Sequence, residues 1–311
     1  MPVPKADKIW IDGELVDWDD ARIHVLTPTL HYGYGVFEGI RCYGTDRGPA
    51  VFQLLPHAQR LLRSARLYPP LDEAPYSAQG LADAIVELIR VNGHEAGCYI
   101  RPTIILGYGE MGLNPLPSEP QVIIATWEWG TYLGEEALVS GVKVMFSSYR
   151  RIGKNTIPPA GKANGQYLNS SLAKVEAIRA GYDEAIMLSE DGYVAEGTGE
   201  NIFIVRDGVI STPPLSDGPL GGITRSSVIQ IARDLGLEVV EEHLVRSDLY
   251  LCDEAFLTGT AAELTPIATV EGRKVGSGTR GPVTEKVQST FMDAIRGKVD
   301  RYKDWLTYVN D

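Results

Sequence analysis

Three of the four Asp-Gly dipeptides lie between two strand-like apolar segments, and these three constrain most strongly what this chain can fold into. They are Asp12-Gly13, Asp191-Gly192 and Asp207-Gly208. The central residues of the tightest hairpin turns need positive φ angles, which Asp and Gly tolerate, so each dipeptide predicts an antiparallel hairpin. Helical segments occur between these hairpins without a regular βαβαβ alternation. This order favours an α+β protein over a doubly wound parallel sheet.

The helical segments have recognisable ends. One is predicted over residues 57–68, and the next begins at Ser77, which can cap its first turn, and ends at 92–93, where Asn-Gly stops it. Three later helices are also predicted. One ends at 179–181, the next begins near Thr224, and the last begins near Pro282. Apolar runs such as CYIRPTIIL, QVIIATW, VKVMFSS and LEVVEEHL are expected to be strands.

The chain is long enough for two domains. Its 311 residues exceed one ordinary domain, and TWEWGTYLGEEA interrupts the strand pattern with two glycines. We therefore expect a small N-terminal domain at 1–129, a connection at 130–138 and a larger C-terminal domain at 139–311.

Charge and cysteine content exclude several classes of protein. The net charge of −12 argues against a nucleic-acid partner or an anionic membrane surface, and no apolar run approaches the length of a membrane span. The three cysteines are widely spaced, and there is no CxxC motif. With only five scattered histidines besides, neither a disulfide framework nor a metal site is expected. We expect a cytoplasmic protein that acts on small molecules.

One glycine motif is misleading. LGYGEMG at 106–112 fits G-x-G-x-x-G, but a dinucleotide site needs a helix directly behind it. Pro115 and Pro117 follow instead, so the segment is interpreted as a glycine-rich loop.

A lysine lies alone among small residues in PPAGKANGQYLNSS. Lys162 has no charged residue within seven positions on either side. A lysine amine is a nucleophile toward aldehydes and ketones, and small neighbours leave room for a flat ring. Tyr167 could donate a hydrogen bond to a phenolate oxygen on such a ring. Taken alone, Lys162 is more simply a solvated surface lysine.

Three further segments complete this pattern. In AEGTGENIF, Glu196 could face a pyridine nitrogen and keep it protonated, whereas Glu200 fits a turn better. PLGGITRSS places Gly221-Gly222 before a helix that starts at Ile223-Thr224, which predicts an anion cradle. LTGTAAELTP adds the hydroxyls of Thr258 and Thr260, and Arg60 could add a fixed positive charge.

These motifs resemble one family throughout. EGTGENIF, Ile210-Ser211-Thr212 and LGGITR are similar to the signature of class IV aminotransferases. HYGYGVFEGIR, CYIRP, NTIPPAGKANGQYL and GTAAELTP resemble its branched-chain amino acid group, and the similarity covers essentially the whole chain. The resemblance implies a fold-type IV pyridoxal 5'-phosphate enzyme: two domains, the larger with a mixed, hairpin-rich sheet, in a homodimer at least.

The resemblance also implies roles for individual residues. Lys162 would bind the cofactor covalently and move the proton, Glu196 would face the ring nitrogen, and Tyr167 would contact the phenolic oxygen. The phosphate would be held by Arg60, the amides of Ile223 and Thr224, and Thr260. The substrate carboxylate would be bound by Tyr99 and the turn formed by Thr260, Ala261 and Ala262. The side-chain pocket, partly across the dimer interface, would comprise Tyr32, Phe37, Gly39, Trp129 and Tyr132.

Arg101 would bind the second carboxylate of glutamate or 2-oxoglutarate. An arginine flanked by tyrosine hydroxyls can pair with a carboxylate, yet it leaves room for an isobutyl group. The alternative is an ion pair between strands, and Arg41 has the same two interpretations. Tyr34 departs from the family, which commonly has a small residue there, and it could alter the pocket.

The expected reaction is ping-pong transamination between leucine, isoleucine or valine and 2-oxoglutarate. Within the same fold, the alternatives are a D-amino acid or (R)-amine aminotransferase and an aminodeoxychorismate lyase. A non-catalytic pyridoxal-phosphate-binding protein is the alternative from another class. The presence of both Lys162 and Glu196 argues against it, because binding alone needs neither a proton shuttle nor an electron sink.

Overall fold

The computed structural model describes residues 3–130 and 136–311. The chain divides into two compact units. The first comprises Met1–Trp129, Gly161–Gly165 and Ala294–Asp311, and the second comprises Gly130–Ala160 and Gln166–Asp293. The division from the sequence placed 161–165 and 294–311 in the C-terminal domain, whereas contacts group both with the first unit. The predicted connection at 130–138 lies partly outside the described residues, and the boundaries on either side of it remain predictions.

The elements are numbered along the chain. The strands are β1 (Lys8–Ile11), β2 (Glu14–Asp17), β3 (Gly35–Phe37), β4 (Ile40–Thr45), β5 (Gly48–Phe52), β6 (Gly97–Leu106), β7 (Pro120–Trp127), β8 (Val142–Phe146), β9 (Glu184–Leu188), β10 (Val194–Glu196), β11 (Asn201–Arg206), β12 (Val209–Thr212), β13 (Val239–Glu241), β14 (Glu254–Gly259), β15 (Glu263–Val270), β16 (Arg273–Lys274) and β17 (Leu306–Tyr308). The helices are α1 (Pro28–Tyr32), α2 (Leu54–Ala65), α3 (Ala78–Val91), α4 (Ala137–Ser140), α5 (Tyr167–Arg179), α6 (Ile223–Asp234), α7 (Arg246–Leu251) and α8 (Pro282–Ile295).

The first unit is built on an antiparallel sheet with the strand order β17-β5-β4-β6-β7-β1-β2, and β3 pairs with β6. Helices α2 and α3 bury their apolar faces in the same core as this sheet, with Leu61, Ile85 and Ile100 fully buried. Ser77 caps α3 as predicted, because its hydroxyl oxygen accepts a hydrogen bond from the Gly80 amide.

The second unit contains a mixed sheet with the order β10-β9-β8-β15-β14-β11-β12-β13, and β16 pairs with β15. β8 runs parallel to both β9 and β15, whereas β11, β14 and β15 are antiparallel neighbours. Its core includes Val144, Ile202 and Leu257. Helices thus accompany an antiparallel sheet in one unit and a mixed sheet in the other, so the predicted α+β class is confirmed.

The hairpins predicted from Asp-Gly are confirmed. Asp12 and Gly13 have φ angles of 47° and 98° and join β1 to β2, so both adopt the left-handed conformation that the tightest turns require. Asp207 and Gly208 join β11 to β12, and their φ angles are also positive, at 51° and 80°. The turn at Asp191-Gly192 is longer, because Leu188 pairs with Val194.

Other expectations were met to different degrees. α5, α6 and α8 end or begin within a residue or two of the predicted positions, and α2 starts three residues earlier than expected. LEVVEEHL forms only the three-residue β13, which pairs in parallel with β12. Residues 107–119 contain no helix, as their prolines predicted. Among the described residues, no helix is both long and apolar enough to cross a membrane.

Candidate active site

Lys162 is held in the first unit by backbone hydrogen bonds on both sides. Its amide donates to the Ser64 hydroxyl at 3.0 Å, and its carbonyl accepts from the Phe37 amide at 3.0 Å. Ala163 adds an antiparallel bridge to Val36, at the start of β3. The Lys162 ammonium lies 4.9 Å from the centre of the Phe37 ring. A side chain at Gly161 would come within 2.9 Å of Leu67, so the small residue before the lysine permits this close packing.

An aromatic cluster on β6 and β7 surrounds Arg101. The Tyr99 ring lies 4.9 Å from that of Trp127 and 4.6 Å from that of Trp129. The Arg101 guanidinium lies 4.7 Å from the Phe37 ring and 5.3 Å from the Tyr99 ring, and its Nη2 donates to the Tyr99 hydroxyl at 3.1 Å. These contacts stabilise the charge through the aromatic faces without neutralising it.

Arg101 still has unused hydrogen-bonding capacity. Its Nε is buried without a hydrogen-bond acceptor among residues 3–130 and 136–311. Within the described part of the chain it forms no ion pair, so the alternative of an inter-strand ion pair is not seen there. A buried arginine donor without an acceptor is suited to an incoming carboxylate.

The remaining predicted pocket residues differ in placement. Gly39 is buried, and a Cβ there would overlap the Tyr99 hydroxyl. Tyr32, the last residue of α1, is 44% exposed and has His31 as its ring neighbour, so the structure does not bring it into the aromatic cluster. Tyr132 lies outside the described residues.

Two residues left undecided by the sequence have clear contacts. Arg41 donates through Nη2 to the Trp129 carbonyl at 2.8 Å. The Tyr34 hydroxyl donates to the Pro69 carbonyl at 2.7 Å, and its ring packs edge-on against Tyr68. Partial burial raises the pKa of Tyr34. The departure from the family at position 34 is therefore accommodated against the core of the first unit.

Arg60 is part of a buried charge cluster that sequence reasoning missed. Glu38 is fully buried and accepts from Arg60 Nε at 2.6 Å and from Arg60 Nη2 at 2.8 Å. His57 Nδ1 lies 2.7 Å from Oε2 of the same carboxylate, the oxygen that also accepts from Arg60 Nη2. Despite its burial, the charges of Arg60 and His57 hold the pKa of Glu38 far below its usual range, and burial lowers the pKa of His57.

This geometry orients Arg60. A carboxylate on Nε and Nη2 fixes the plane of the guanidinium and leaves Nη1 directed away from Glu38. The only signal in the sequence is one acidic residue within the apolar segment GVFEGI, which by itself gives no partner.

Glu196 occupies a well-defined site in the second unit. It is buried at the end of β10, and its carboxylate accepts from Arg151 Nε at 2.6 Å, from the Leu220 amide at 3.1 Å and from Asn201 Nδ2 at 3.4 Å. These donors hold the carboxylate in a fixed orientation. Arg151 was not predicted, and its Nη1 is buried without an acceptor.

The start of α6 fits an anion. Gly222 caps the helix without any side-chain hydrogen bond, and the first turn contains no acidic residue. A Cβ at Gly222 would overlap Asn201 Oδ1, so only glycine allows this approach. The amides at a helix N-terminus need acceptors, and Ile223 and Thr224 lie there as predicted.

The turn between β14 and β15 contributes small residues and hydroxyls. Gly259 pairs with Glu263 across it, and Thr265 Oγ1 donates to the Ala262 carbonyl at 2.8 Å, which fixes the turn at Thr260-Ala261-Ala262. Thr258 Oγ1 is fully buried without a partner. Tyr167 is the first residue of α5.

Comparison with known proteins agrees with these features. The sequence model described as Amino-transferase class IV matches residues 35–270. A branched-chain-amino-acid aminotransferase from Pseudomonas aeruginosa is 50% identical over 301 residues, which cover 97% of each chain. The crystal structure of the Escherichia coli branched-chain amino acid aminotransferase superimposes with a TM-score of 0.94 at 48% identity, over 98% of this chain and 100% of that one.

A third relative is the T.th. branched-chain amino acid aminotransferase complexed with N-(5'-phosphopyridoxyl)-L-glutamate. It has a TM-score of 0.93 and 46% identity, over 98% of this chain and 99% of that one. The chain belongs to the class IV aminotransferases, and the predicted fold-type IV architecture is confirmed. Within that family, the relatives described above are branched-chain-amino-acid aminotransferases, the group whose motifs the sequence resembles.

Proposed function

We propose that this aminotransferase moves the amino group of leucine, isoleucine or valine to 2-oxoglutarate by a ping-pong mechanism with pyridoxal 5'-phosphate. The surroundings of Arg101 support the pairing of a branched-chain amino acid with 2-oxoglutarate. Its guanidinium lies among aromatic faces and keeps a buried donor without an acceptor. Such a site can receive an apolar side chain against the rings or a carboxylate on the arginine. The relative that is complexed with a phosphopyridoxyl-glutamate adduct supports the same assignment.

Each unit contains residues whose chemistry suits a group of the cofactor. Lys162 would bind it covalently, Glu196 would face its ring nitrogen and Tyr167 its phenolic oxygen. Its phosphate would be bound by Arg60, Ile223, Thr224 and Thr260. The uncapped, acid-free start of α6 and the orphaned Thr258 hydroxyl support a phosphate cradle. When bound, pyridoxal phosphate supplies an electron sink for the negative charge that develops at the substrate α-carbon.

The side chains then have separate tasks. Lys162 Nζ would take the proton from the α-carbon of the amino acid and deliver it to the bound cofactor, and it would make the reverse transfer for the 2-oxo acid in the second half-reaction. Arg151 and the Leu220 amide hold the Glu196 carboxylate in place, and a carboxylate fixed opposite the ring nitrogen would favour its protonated form. Tyr99 and the amides of Ala261 and Ala262 would bind the substrate carboxylate. Phe37, Gly39 and Trp129 would form the side-chain pocket, and Tyr32, which lies outside their cluster, could contribute only across the expected dimer interface.

The assembly and location belong to the same proposal. We expect a homodimer at least, with pocket residues shared between subunits, on the strength of the family resemblance alone. A cytoplasmic location is expected from the absence of a disulfide pattern in the sequence.

Substrate-dependent absorbance of the bound cofactor tests the function. Adding L-leucine to the yellow holoenzyme is expected to abolish its visible band, and 2-oxoglutarate is expected to restore it. A holoenzyme that ignores L-leucine but responds to D-alanine or (R)-amines would replace the substrate assignment. A protein that takes up no pyridoxal phosphate would overturn the whole proposal.

Gly39→Ala is expected to weaken substrate binding. The new methyl group would overlap the Tyr99 hydroxyl, and Tyr99 cannot move freely because Trp127 and Trp129 pack against it. Overpacking of this kind costs about 1–3 kcal/mol, which corresponds to roughly a tenfold to hundredfold rise in KM for L-leucine. Steady-state kinetics measure it. Gly80→Ala in α3 is the control, since its methyl meets nothing closer than 3.4 Å. An unchanged KM in Gly39→Ala would exclude this role for Tyr99.

A further inference from the structure

The second unit buries three carboxylates close together in sequence and structure but holds only two of them in ion pairs. Glu184, Glu196 and Glu200 are 0%, 6% and 4% exposed. Lys174 Nζ lies 2.7 Å from Glu184, and Arg151 Nε lies 2.6 Å from Glu196. Glu200 has no ion-pair partner in the described ranges. Burying an ionised carboxylate without a cation is costly, so the third group is the one expected to keep its proton.

The surroundings of Glu200 are backbone and apolar side chain. Its Oε2 accepts from the Gly199 amide at 3.1 Å and would lie 2.8 Å from a Cβ at Gly197. Its Cγ would lie 3.6 Å from a Cβ at Gly259, and Leu257 borders the same glycine loop. The side chain therefore lies folded over its own loop, and a Cβ at position 197 would displace its Oε2.

The charges around this side chain act in opposite directions. Burial has the largest effect, and together with the negative charges of Glu184 and Glu196 it raises the pKa of Glu200 to about 8. Lys174 on α5 and the Gly199 amide act against the rise. Lys174 is already bonded to Glu184, and Thr198 Oγ1 donates to the same carboxylate at 2.7 Å.

We propose that Glu200 is a neutral carboxylic acid at neutral pH and that it is a positioning residue for Glu196. Glu200 is connected to Glu196 by hydrogen bonds within the loop that joins them. The Gly197 amide donates to the Glu200 carbonyl at 2.7 Å, which closes the loop directly after Glu196. The next residue, Asn201, donates through Nδ2 to the Leu220 carbonyl at 2.9 Å and to Glu196 Oε2. An ionised Glu200 would repel Glu184 and Glu196 from inside this loop.

The inference rests on the proposed function only for the task given to Glu196; the protonation of Glu200 stands apart from it. The two parts are therefore tested separately, first by stability and then by catalysis.

The stability test compares wild type with Glu200→Gln, whose amide imitates the neutral acid. A carboxyl group whose folded-state pKa is raised stabilises the fold fully below its ordinary value of 4.5. That stabilisation is lost as pH rises to the folded-state value of about 8. The folding equilibrium constant of wild type relative to Glu200→Gln is thus expected to fall about tenfold per pH unit between about pH 5 and 8, and then to level off.

Urea unfolding of the holoenzymes at fixed pyridoxal phosphate concentration measures this ratio. Glu87→Gln, which removes an exposed charge from α3, is the control and is expected to give a ratio nearly independent of pH. A flat ratio for Glu200→Gln would overturn the proposal. Should that variant not fold, infrared difference spectra of wild type between pH 6 and 9 replace it. The carbonyl band of a protonated carboxylic acid must then be present at pH 6 and disappear by pH 9, and its absence at pH 6 would refute the proposal.

The catalytic test compares Glu200→Gln with Glu200→Leu at pH 7. We expect Gln to retain kcat and the cofactor spectrum, and Leu, which cannot accept from Gly199, to lower kcat at least tenfold with a smaller change in KM. Above pH 8, kcat of wild type should fall relative to that of Glu200→Gln. Equal kcat values for the Leu and Gln variants would refute the positioning role. A wild-type enzyme unresponsive to L-leucine would instead refute the proposed function and leave the stability result intact.

Discussion

Lys162→Ala is expected to lower the turnover of L-leucine with 2-oxoglutarate by about 10⁴-fold or more. Proton transfer by a positioned side chain contributes about 10²–10⁴-fold, and the variant also loses the amine that binds the cofactor covalently. The fold should persist, because the hydrogen bonds of residue 162 to Ser64 and Phe37 come from its backbone and alanine retains them. Stopped assays with a coupled glutamate readout measure the loss, and circular dichroism and the melting temperature check the fold.

Lys154→Ala is the matched control for this variant. Lys154 is the preceding lysine in the chain, and its side chain is half exposed in a surface ion pair with Asp191. Surface pairs of this kind contribute little to stability, so turnover and melting temperature should stay near the wild-type values. If Lys162→Ala turned over like Lys154→Ala, another group would have to move the α-proton and the assignment of Lys162 would be lost.

Glu38→Gln is expected to lower the free energy of unfolding by about 3–5 kcal/mol, the usual cost of breaking a buried ion pair from one side. Arg60, whose side chain is 13% exposed, would keep its charge but lose both short contacts to the carboxylate, and His57 would lose the same partner. Urea unfolding at pH 7 measures the change. The affinity for pyridoxal phosphate should fall as well, because the guanidinium plane of Arg60 would no longer be fixed.

The double variant Glu38→Gln, Arg60→Met separates charge from packing. Removing both charges and keeping an apolar stem at 60 should recover most of the lost stability without restoring the affinity for the cofactor. If Glu38→Gln lowered the free energy of unfolding by less than about 1 kcal/mol, solvent would be stabilising the charge of Arg60, and the cluster would contribute little to stability.

The local parts of this fold could be predicted from the sequence, and the long-range parts could not. Asp12-Gly13 and Asp207-Gly208 specify their turns through their own backbone preferences, and Ser77 specifies a helix start in the same way. The pairing of β13 with β12 depends on a neighbour almost thirty residues away. The apolar pattern of LEVVEEHL therefore predicted a longer strand than the three-residue β13.

The same distinction applies to the candidate site. Lys162 and Glu196 could be predicted because they lie in contiguous motifs to which the family resemblance assigns roles. The residues that bind and orient the site side chains could not be predicted. Arg151 lies 45 positions before Glu196, and Glu38 lies 22 positions before Arg60. No local pattern marks such pairs, because what selects them is the cost of burying a charge in the finished structure.

The first unit is assembled from three separate stretches of chain, and this has a consequence for biosynthesis. β17, formed by Leu306–Tyr308, pairs with β5 at the edge of its sheet, and Ala163 bridges β3. A ribosome-bound chain that has emerged only as far as residue 129 therefore displays the hydrogen-bonding edge of β5 to other nascent chains. Protection of that edge must await translation of Leu306–Tyr308, so a product that stops before them is expected to aggregate through the portion that was made first.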